Sequence, residues 1–224
     1  MILFEHVSKI YHNSWTALYD INLKINKGEF VFLTGPTGAG KTTLLKLIYC
    51  AEFPDAGDLT VSGYSLNKNC SDKIITQLRR KIGIIFQDFK LLNERTVYEN
   101  IEFALRVIGI RPYLIPEIVM SALSKVGLTN RKDFYPYQLS GGEQQKVSIA
   151  RALAKNPEIL LADEPTGNID YKGSAEILGL LKEINYSGTT VIMATHDYLL
   201  AENSNKRVVK LQDGKILADN NSIQ

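Results

Sequence analysis

The sequence predicts an α/β fold with a helical insertion, and three observations carry that expectation. Short apolar, β-branched runs alternate with helical stretches along most of the chain. One of these runs leads directly into a glycine-rich loop that opens a helix, GPTGAGKT at residues 35–42. Between Thr96 and Val126 the alternation gives way to two helical patterns in succession.

In chain order, ILFEHV, LYDINLKI and EFVFLT read as strands, with the charged turn Asn26–Glu29 between the second and third. KTTLLKLIYCA follows the glycine-rich loop as a helix. DLTVSG after the FPDAG turn and the apolar KIGIIFQ read as further strands. TVYENIEFALRVIG and PEIVMSALSKVG carry apolar residues at helical spacing, separated by IRPYLI. GGEQQKVSIARALAKN is a helix stopped at Asn156-Pro157, since the residue before proline leaves the helical region. EILLADE is apolar enough to be a strand buried on both faces. AEILGLLKEIN, TTVIMATHD and RVVKLQDGKIL supply a helix, another buried strand and a hairpin turning at Asp213-Gly214. No internal repeat or low-complexity segment interrupts this order. The expectation is one domain over 1–224, with an α/β core at 1–89 and 151–224 and a helical subdomain at 90–150.

The bulk properties exclude more than they identify. The formal net charge of +2 over 224 residues gives no strong field for nucleic acid, so no nucleic-acid partner is expected. Cys50 and Cys70 lack metal-ligand spacing and are too few for a disulfide framework, which fits a reducing compartment. Cys50 reads as a small buried hydrophobe on a helix. Glu5 breaks the first apolar run, so no signal peptide is expected, and no run approaches the ~18–20 apolar residues of a bilayer span. If the protein works at a membrane, another chain supplies the spans.

GPTGAGKT matches the phosphate-loop pattern in full. Gly35, Pro36, Thr37, Gly38, Ala39 and Gly40 form a turn whose backbone N–H groups converge on phosphate oxygens. The helix that follows, with Lys41, Thr42 and Thr43 in its first turn, adds its dipole. Lys41 is placed to reach the β- and γ-phosphates of ATP, and the Thr42 hydroxyl to ligate Mg²⁺. A merely flexible turn has the same composition, but not the strand before and helix after. Asp163 and Glu164 end a buried strand, where ligands of open α/β sheets sit. Asp163 is the candidate to hold Mg²⁺ through its water shell and Glu164 to polarise an attacking water. His196 follows another buried strand and could donate to the γ-phosphate. His6 and His12 lack such context and read as ordinary histidines. Gln87, after KIGIIF, could offer an amide oxygen to Mg²⁺ or the water. Tyr11 could stack on adenine, or be a packed, half-exposed side chain.

A second Ser-Gly-Gly turn, LSGGEQQ at 139–145, opens another helix. Ser140, Gly141 and Gly142 there make an anion site of N–H groups and helix dipole. Equally, Ser140 with Glu143 three residues on is a capping box, and local sequence leaves the two readings level.

Taken together these residues resemble the ATP-binding cassette (ABC) ATPases. Tyr11 matches the family's adenine-stacking aromatic, 35–42 its Walker A loop and Gln87 its Q-loop. Residues 139–143 match its signature, 159–164 its Walker B strand, 168–170 its D-loop with Asn168 and Asp170, and His196 its switch histidine. The resemblance covers nearly the whole chain in the family's order. It implies an ABC-type nucleotide-binding domain: a P-loop, RecA-like core with an N-terminal antiparallel β-subdomain and an inserted α-helical subdomain. It also implies a partner-stimulated ATPase with ATP and Mg²⁺, working as a homodimer in which Ser140, Gly141, Gly142 and Glu143 close over the ATP of the other protomer. MILFEHVSKIY, LRRKIGIIFQDFKLLNERTVYENI and the stretch 139–170 resemble the family's cell-division group, which implies an FtsX-like integral membrane partner. The same resemblance implies peripheral attachment at the cytoplasmic face of the inner (plasma) membrane. Ile169 stands where leucine is commoner, a conservative change, and the resemblance assigns no role to the proline-rich turn at 109–116. Lipoprotein-release and export cassettes share the motif set and differ mainly in the membrane-facing stretch. Chromosome and repair ATPases carry coiled coils or zinc insertions that this sequence lacks.

Overall fold

Strand β3 (Phe30–Thr34), with every residue buried, forms the middle of a six-stranded sheet. The computed structural model describes residues 1–11 and 15–223, so His12 lies outside the described residues. The sheet runs β10-β9-β3-β8-β7-β6, where β6 is Ile82–Ile85, β7 Ile159–Asp163, β8 Thr190–Thr195, β9 Arg207–Gln212 and β10 Lys215–Asp219. All neighbours are parallel except the hairpin β9–β10. Its turn residues Asp213 and Gly214 have φ 48° and 73°, the two positive values of a type I′ hairpin.

Because side chains alternate across a strand, each central strand feeds two cores. Val31, Leu33, Leu161, Ile192 and Ala194 face one; Phe30, Phe32, Leu160, Val191 and Met193 face the other. The first core is roofed by α1 (Lys41–Ile48) and by an antiparallel sheet ordered β2-β1-β4-β5. Its strands are β1 Ile2–Tyr11, β2 Trp15–Ile25, β4 Ala56–Val61 and β5 Tyr64–Ser65. His6 sits in this sheet at φ 54°, its Nδ1 2.8 Å from Asp20 Oδ1 and exposed.

The second core collects α3 (Val97–Val107), α4 (Ile115–Lys125), α5 (Gly141–Leu153) and α6 (Tyr171–Tyr186). α3 presents Val97, Ile101 and Leu105, and α4 presents Ile115, Val119 and Leu123, the four-residue spacing of one helical face. A capping box starts α3: Glu99 N–H donates to Thr96 Oγ1 at 3.2 Å, and Thr96 N–H to Glu99 Oε2 at 2.7 Å. Between α3 and α4 lies a one-turn 3₁₀ segment, Pro112–Leu114.

Several details depart from the sequence expectation. α1 stops at Ile48, so Cys50 is buried as expected but lies past the helix, at φ 60°. β6 ends at Ile85, which leaves Gln87 in the following loop. α5 ends at Leu153, three residues before the Asn156-Pro157 stop. The helices α2 (Asp72–Lys81) and α7 (Tyr198–Glu202) were not anticipated. In α2 only Leu78 is buried, so the apolar stripe is too thin to register.

Candidate functional site

The glycine-rich loop, Gly35 to Gly40, joins β3 to α1. Gly40 holds φ 102°, and a Cβ there would sit 2.7 Å from the Ala17 carbonyl oxygen. Pro36, Thr37 and Gly38 are exposed, whereas Gly35, Ala39 and Gly40 are buried. No side chain caps α1, unlike α3, α5 and α6, so its first backbone donors are left for another acceptor. Lys41, 5% exposed, donates from Nζ to the carbonyls of Gly35 (2.7 Å) and Pro36 (3.0 Å) and lies 3.8 Å from Glu164 Oε1. Burial pushes its ammonium below the usual lysine value, against the pull of Glu164 and Asp163. Thr43 is buried one residue past Thr42.

β7 and β8 deliver the acids and the histidine side by side, with Asp163 in register with Ala194. Asp163 Oδ1 accepts from Thr42 Oγ1 at 3.2 Å. Its carboxyl is raised by burial, an effect reduced by the Thr42 hydrogen bond and reinforced by Glu164. Glu164 stands just beyond the strand at φ 45°, a left-handed conformation costly for a side-chain-bearing residue, fixed by donation of its N–H to Ala194 O at 2.9 Å. Its Oε2 is 2.8 Å from His196 Nδ1. Lys41, Thr42, Asp163, Glu164 and His196 are thus one connected group. The hydroxyl–carboxylate pair of Thr42 and Asp163 is a hard-oxygen set suited to Mg²⁺. Among the described residues no three acids, histidines or cysteines are arranged to hold a metal ion by themselves, so an ion here also needs oxygen from a bound phosphate.

The second loop lies elsewhere. Ser140 caps α5 in a complete capping box: Glu143 N–H donates to Ser140 Oγ at 3.3 Å and Ser140 N–H to Glu143 Oε2 at 2.9 Å. The Ser140 N–H holds the Glu143 carboxyl below its ordinary value, helped by the Ser140 hydroxyl and Arg131 against the effect of burial. Ser140, Gly141, Gly142 and Glu143 line a cavity of about 430 Å³ with Asn168 and Asp170, and no residue of 35–43 lines it. Asp170 Oδ1 accepts from Gly173 N–H at 3.0 Å and so caps α6. Asn168 Nδ2 donates to the Gln87 carbonyl at 3.1 Å. Gln87 thereby joins the 167–168 turn; its amide is beside Gly167, and no bond links it to Thr42 or Asp163. Tyr11 ends β1 with its ring stacked on Trp15, centroids 5.6 Å apart, and its hydroxyl buried without a partner among the described residues; Trp15, 55% exposed, is the open aromatic.

Two residues that organise the loop after Gln87 escaped the sequence reading. Arg151 of α5 donates to the carbonyls of Phe89 (2.8 Å) and Lys90 (2.5 Å), both at positive φ. Asn100 of α3 is wholly buried and binds the backbone of Leu92 and Arg95. A polar residue on the apolar stripe of α3 was the available signal for Asn100.

Comparison with known proteins decides the family. The ABC transporter family matches residues 18–167. The chain belongs to the ABC transporter family. The cassette is similar over nearly its whole length to proteins named cell division ATP-binding protein FtsE. It is 50% identical to that of Mycobacterium tuberculosis over 98% of this chain and 95% of the relative. It is 47% identical to that of Bacillus subtilis, over 98% and 96%, and 48% identical to that of Escherichia coli K12, over 96% and 97%. Among solved structures it resembles the ATP-binding cassette MJ0796, captured as a dimer in a post-hydrolysis state with ADP and Pi (TM-score 0.88, 37% identity, 98% of this chain and 97% of that one). It also resembles cbiO1 of Clostridium perfringens (TM-score 0.89, 31% identity, 97% and 87%). The cassette is therefore an ATP-binding ATPase, with the mixed parallel and antiparallel sheets of that nucleotide-binding domain.

Proposed function

We propose that two copies of this cassette close head-to-tail over two ATP molecules and pass that closure to an FtsX-like integral membrane protein, in cell division and the control of cell-wall hydrolysis. The observation that carries this reading is the separation of the two loops. Ser140–Glu143 open onto a cavity shared with Asn168 and Asp170 rather than onto the cradle at 35–43. A helix N-terminus suited to an anion but opening onto a cavity that its own phosphate loop does not line is suited to the ATP of a second copy. The dimeric MJ0796 cassette and the FtsE names of the relatives support the two halves of the proposal.

In this scheme Gly35–Thr43 hold the phosphates through backbone N–H groups, and Lys41 transfers its Nζ from the loop carbonyls to phosphate oxygen. Thr42 and Asp163 would hold Mg²⁺, with Gln87 approaching from the loop that Asn168 holds by its carbonyl. Bound there, Mg²⁺ would supply positive charge against the β- and γ-phosphate oxygens. Glu164, held by His196 and Lys41, orients the attacking water. With Nδ1 donating to Glu164, His196 can also donate from Nε2 only when its ring carries both protons. Tyr11, with Trp15 beside it, offers the aromatic face for adenine. Ser140 and the amides of Gly141 and Gly142 add donors only in the closed state, so ATP favours closure by its differential affinity. Taking the pair from 1:99 to 99:1 needs about 5.5 kcal/mol of that difference. Hydrolysis and phosphate loss remove it, and the pair opens.

Among the described residues no helix is long and apolar enough to cross a membrane, so attachment at the cytoplasmic face would be peripheral, through the partner. The loop from Gln87 to Arg95, pinned by Arg151 and Asn100, is the surface for that contact. The test is affinity purification of Glu164→Gln from native membranes with ATP. Recovery of an FtsX-like protein is the expected result; a lipoprotein-release or export permease in its place would sink the cell-division assignment.

A further inference from the structure

α5 starts at the Ser140 cap, and just over one turn later Gln145 is wholly buried against the turn that carries Glu164. Its Nε2 donates to the carbonyl of Pro165 at 2.7 Å. Chemistry fixes that orientation, because a carbonyl offers only lone pairs and the amide nitrogen must face it. Pro165 is buried, and its carbonyl has no other donor among the described residues. The rest of the turn is held from within and from β8: Gly167 N–H donates to Glu164 O at 3.1 Å, and Glu164 N–H to Ala194 O at 2.9 Å. The Gln145 amide is the tie that joins it to α5.

The net stability of the amide is small. Its Nε2 satisfies the Pro165 carbonyl, but Gln145 Oε1 is buried without a partner among the described residues, as is the Ser148 hydroxyl one turn on. Methionine has nearly the same length and volume; it removes the bare Oε1 and leaves the Pro165 carbonyl bare in its place, one unsatisfied acceptor exchanged for another. What methionine takes away is the bond that holds the turn to α5.

We infer that Gln145 is a positioning residue for Glu164: it fixes the turn under that carboxylate to the helix capped by Ser140. The inference rests on the proposed role of Glu164 as the group that orients water. It gives α5, thirteen residues long, a second task. Seating of Ser140 on the partner's nucleotide is carried along a rigid helix to the turn beneath this chain's own Glu164, so each site reports closure to the other.

The test is Gln145→Met, assayed as the purified cassette with ATP and Mg²⁺. The kcat falls roughly ten- to a hundredfold, the scale of a misplaced reacting group, while KM for ATP and the affinity for a non-hydrolysable ATP analogue stay within about twofold. In a Glu164→Gln background, single-turnover hydrolysis falls by less than about twofold more, because the residue through which Gln145 acts is already gone. Gln145→Asn, which keeps the amide but falls one methylene short of Pro165, replaces the methionine variant if that chain does not fold. Wild-type kcat in the variant, or an undiminished further loss in the Glu164→Gln background, overturns the inference. Wild-type hydrolysis by Glu164→Gln alone sinks the role of Glu164 and this inference with it; slow hydrolysis there beside fast hydrolysis by Gln145→Met sinks the inference only.

Discussion

Replacing Asn100 by alanine should loosen the loop after Gln87 at a cost that can be worked from its bonds. Oδ1 accepts from Leu92 N–H at 2.8 Å, and Nδ2 lies 3.1 Å from Leu92 O, 3.1 Å from Arg95 O and 2.9 Å from Thr96 O. Two of these carbonyls keep another donor, since Leu92 O accepts from Arg95 N–H and Thr96 O from Asn100 N–H. Alanine therefore strands Leu92 N–H and Arg95 O. Each is worth about 1–1.5 kcal/mol in a half-buried loop, for a total of about 2–3 kcal/mol. At about 2–4 °C per kcal/mol for a chain of this size, Tm should fall by roughly 4–12 °C. Asn100→Asp keeps the acceptor but turns a buried carboxylate toward carbonyl oxygens, so it should be less stable than alanine. Urea denaturation gives the energies, and hydrogen exchange at Leu92 locates the loss. An alanine variant within about 0.5 kcal/mol of wild type, or an aspartate variant more stable than it, would mean that Asn100 does not hold the loop.

Arg207 binds Asp219 through Nε (3.0 Å) and a terminal nitrogen (2.7 Å), and Glu29 at 2.7 Å, tying β9 to β10 and to the start of β3. Burial pushes the Asp219 carboxyl up, but Arg207 and the Asn221 N–H outweigh it and hold the group below its ordinary value. Such a group stabilises the fold above the unfolded value of about 3.9 and loses that contribution as pH falls through the lower folded value. Arg207→Ala should cost about 2 kcal/mol at pH 7, less than a fully buried pair because Asp219 and Glu29 are partly exposed. The gap from wild type should narrow below about pH 4 in urea midpoints taken at both pH values. Ser140→Ala removes a cap worth about 1 kcal/mol, so melting should move little while ATP-dependent dimerisation is lost in sedimentation. Gly40→Ala forces a Cβ at φ 102° to within 2.7 Å of Ala17 O, and ATP should no longer raise its Tm.

The parts of the fold legible in sequence are those where one pattern decides. The apolar run before Gly35 and the glycines after it force strand, turn and helix in that order, and Asp213-Gly214 forces a hairpin. Both faces of β3, β7 and β8 are apolar, so their assignment to two cores was invisible until α1 and α5 were placed. α2 was missed because Lys73, Gln77, Arg79, Arg80 and Lys81 surround one buried leucine. Strand-end logic put Glu164 and His196 in one crevice, but their 2.8 Å contact depends on β7 and β8 being neighbours. Ser140 had two level readings, and the capping box is present. That bond does not compete with the anion site, since the cap uses Ser140 Oγ and Glu143 while the amides of Gly141 and Gly142 are separate donors. Gln145 carries no local signal, because its partner Pro165 is twenty residues away.

Closure of two copies over ATP is read from the mass of Glu164→Gln in analytical ultracentrifugation with and without ATP and Mg²⁺. The predicted result is the mass of one chain without nucleotide and of two chains with ATP, reverting on substitution of Ser140 by alanine. A species of one chain mass that nonetheless holds one ATP per chain would mean that the two copies do not close over ATP.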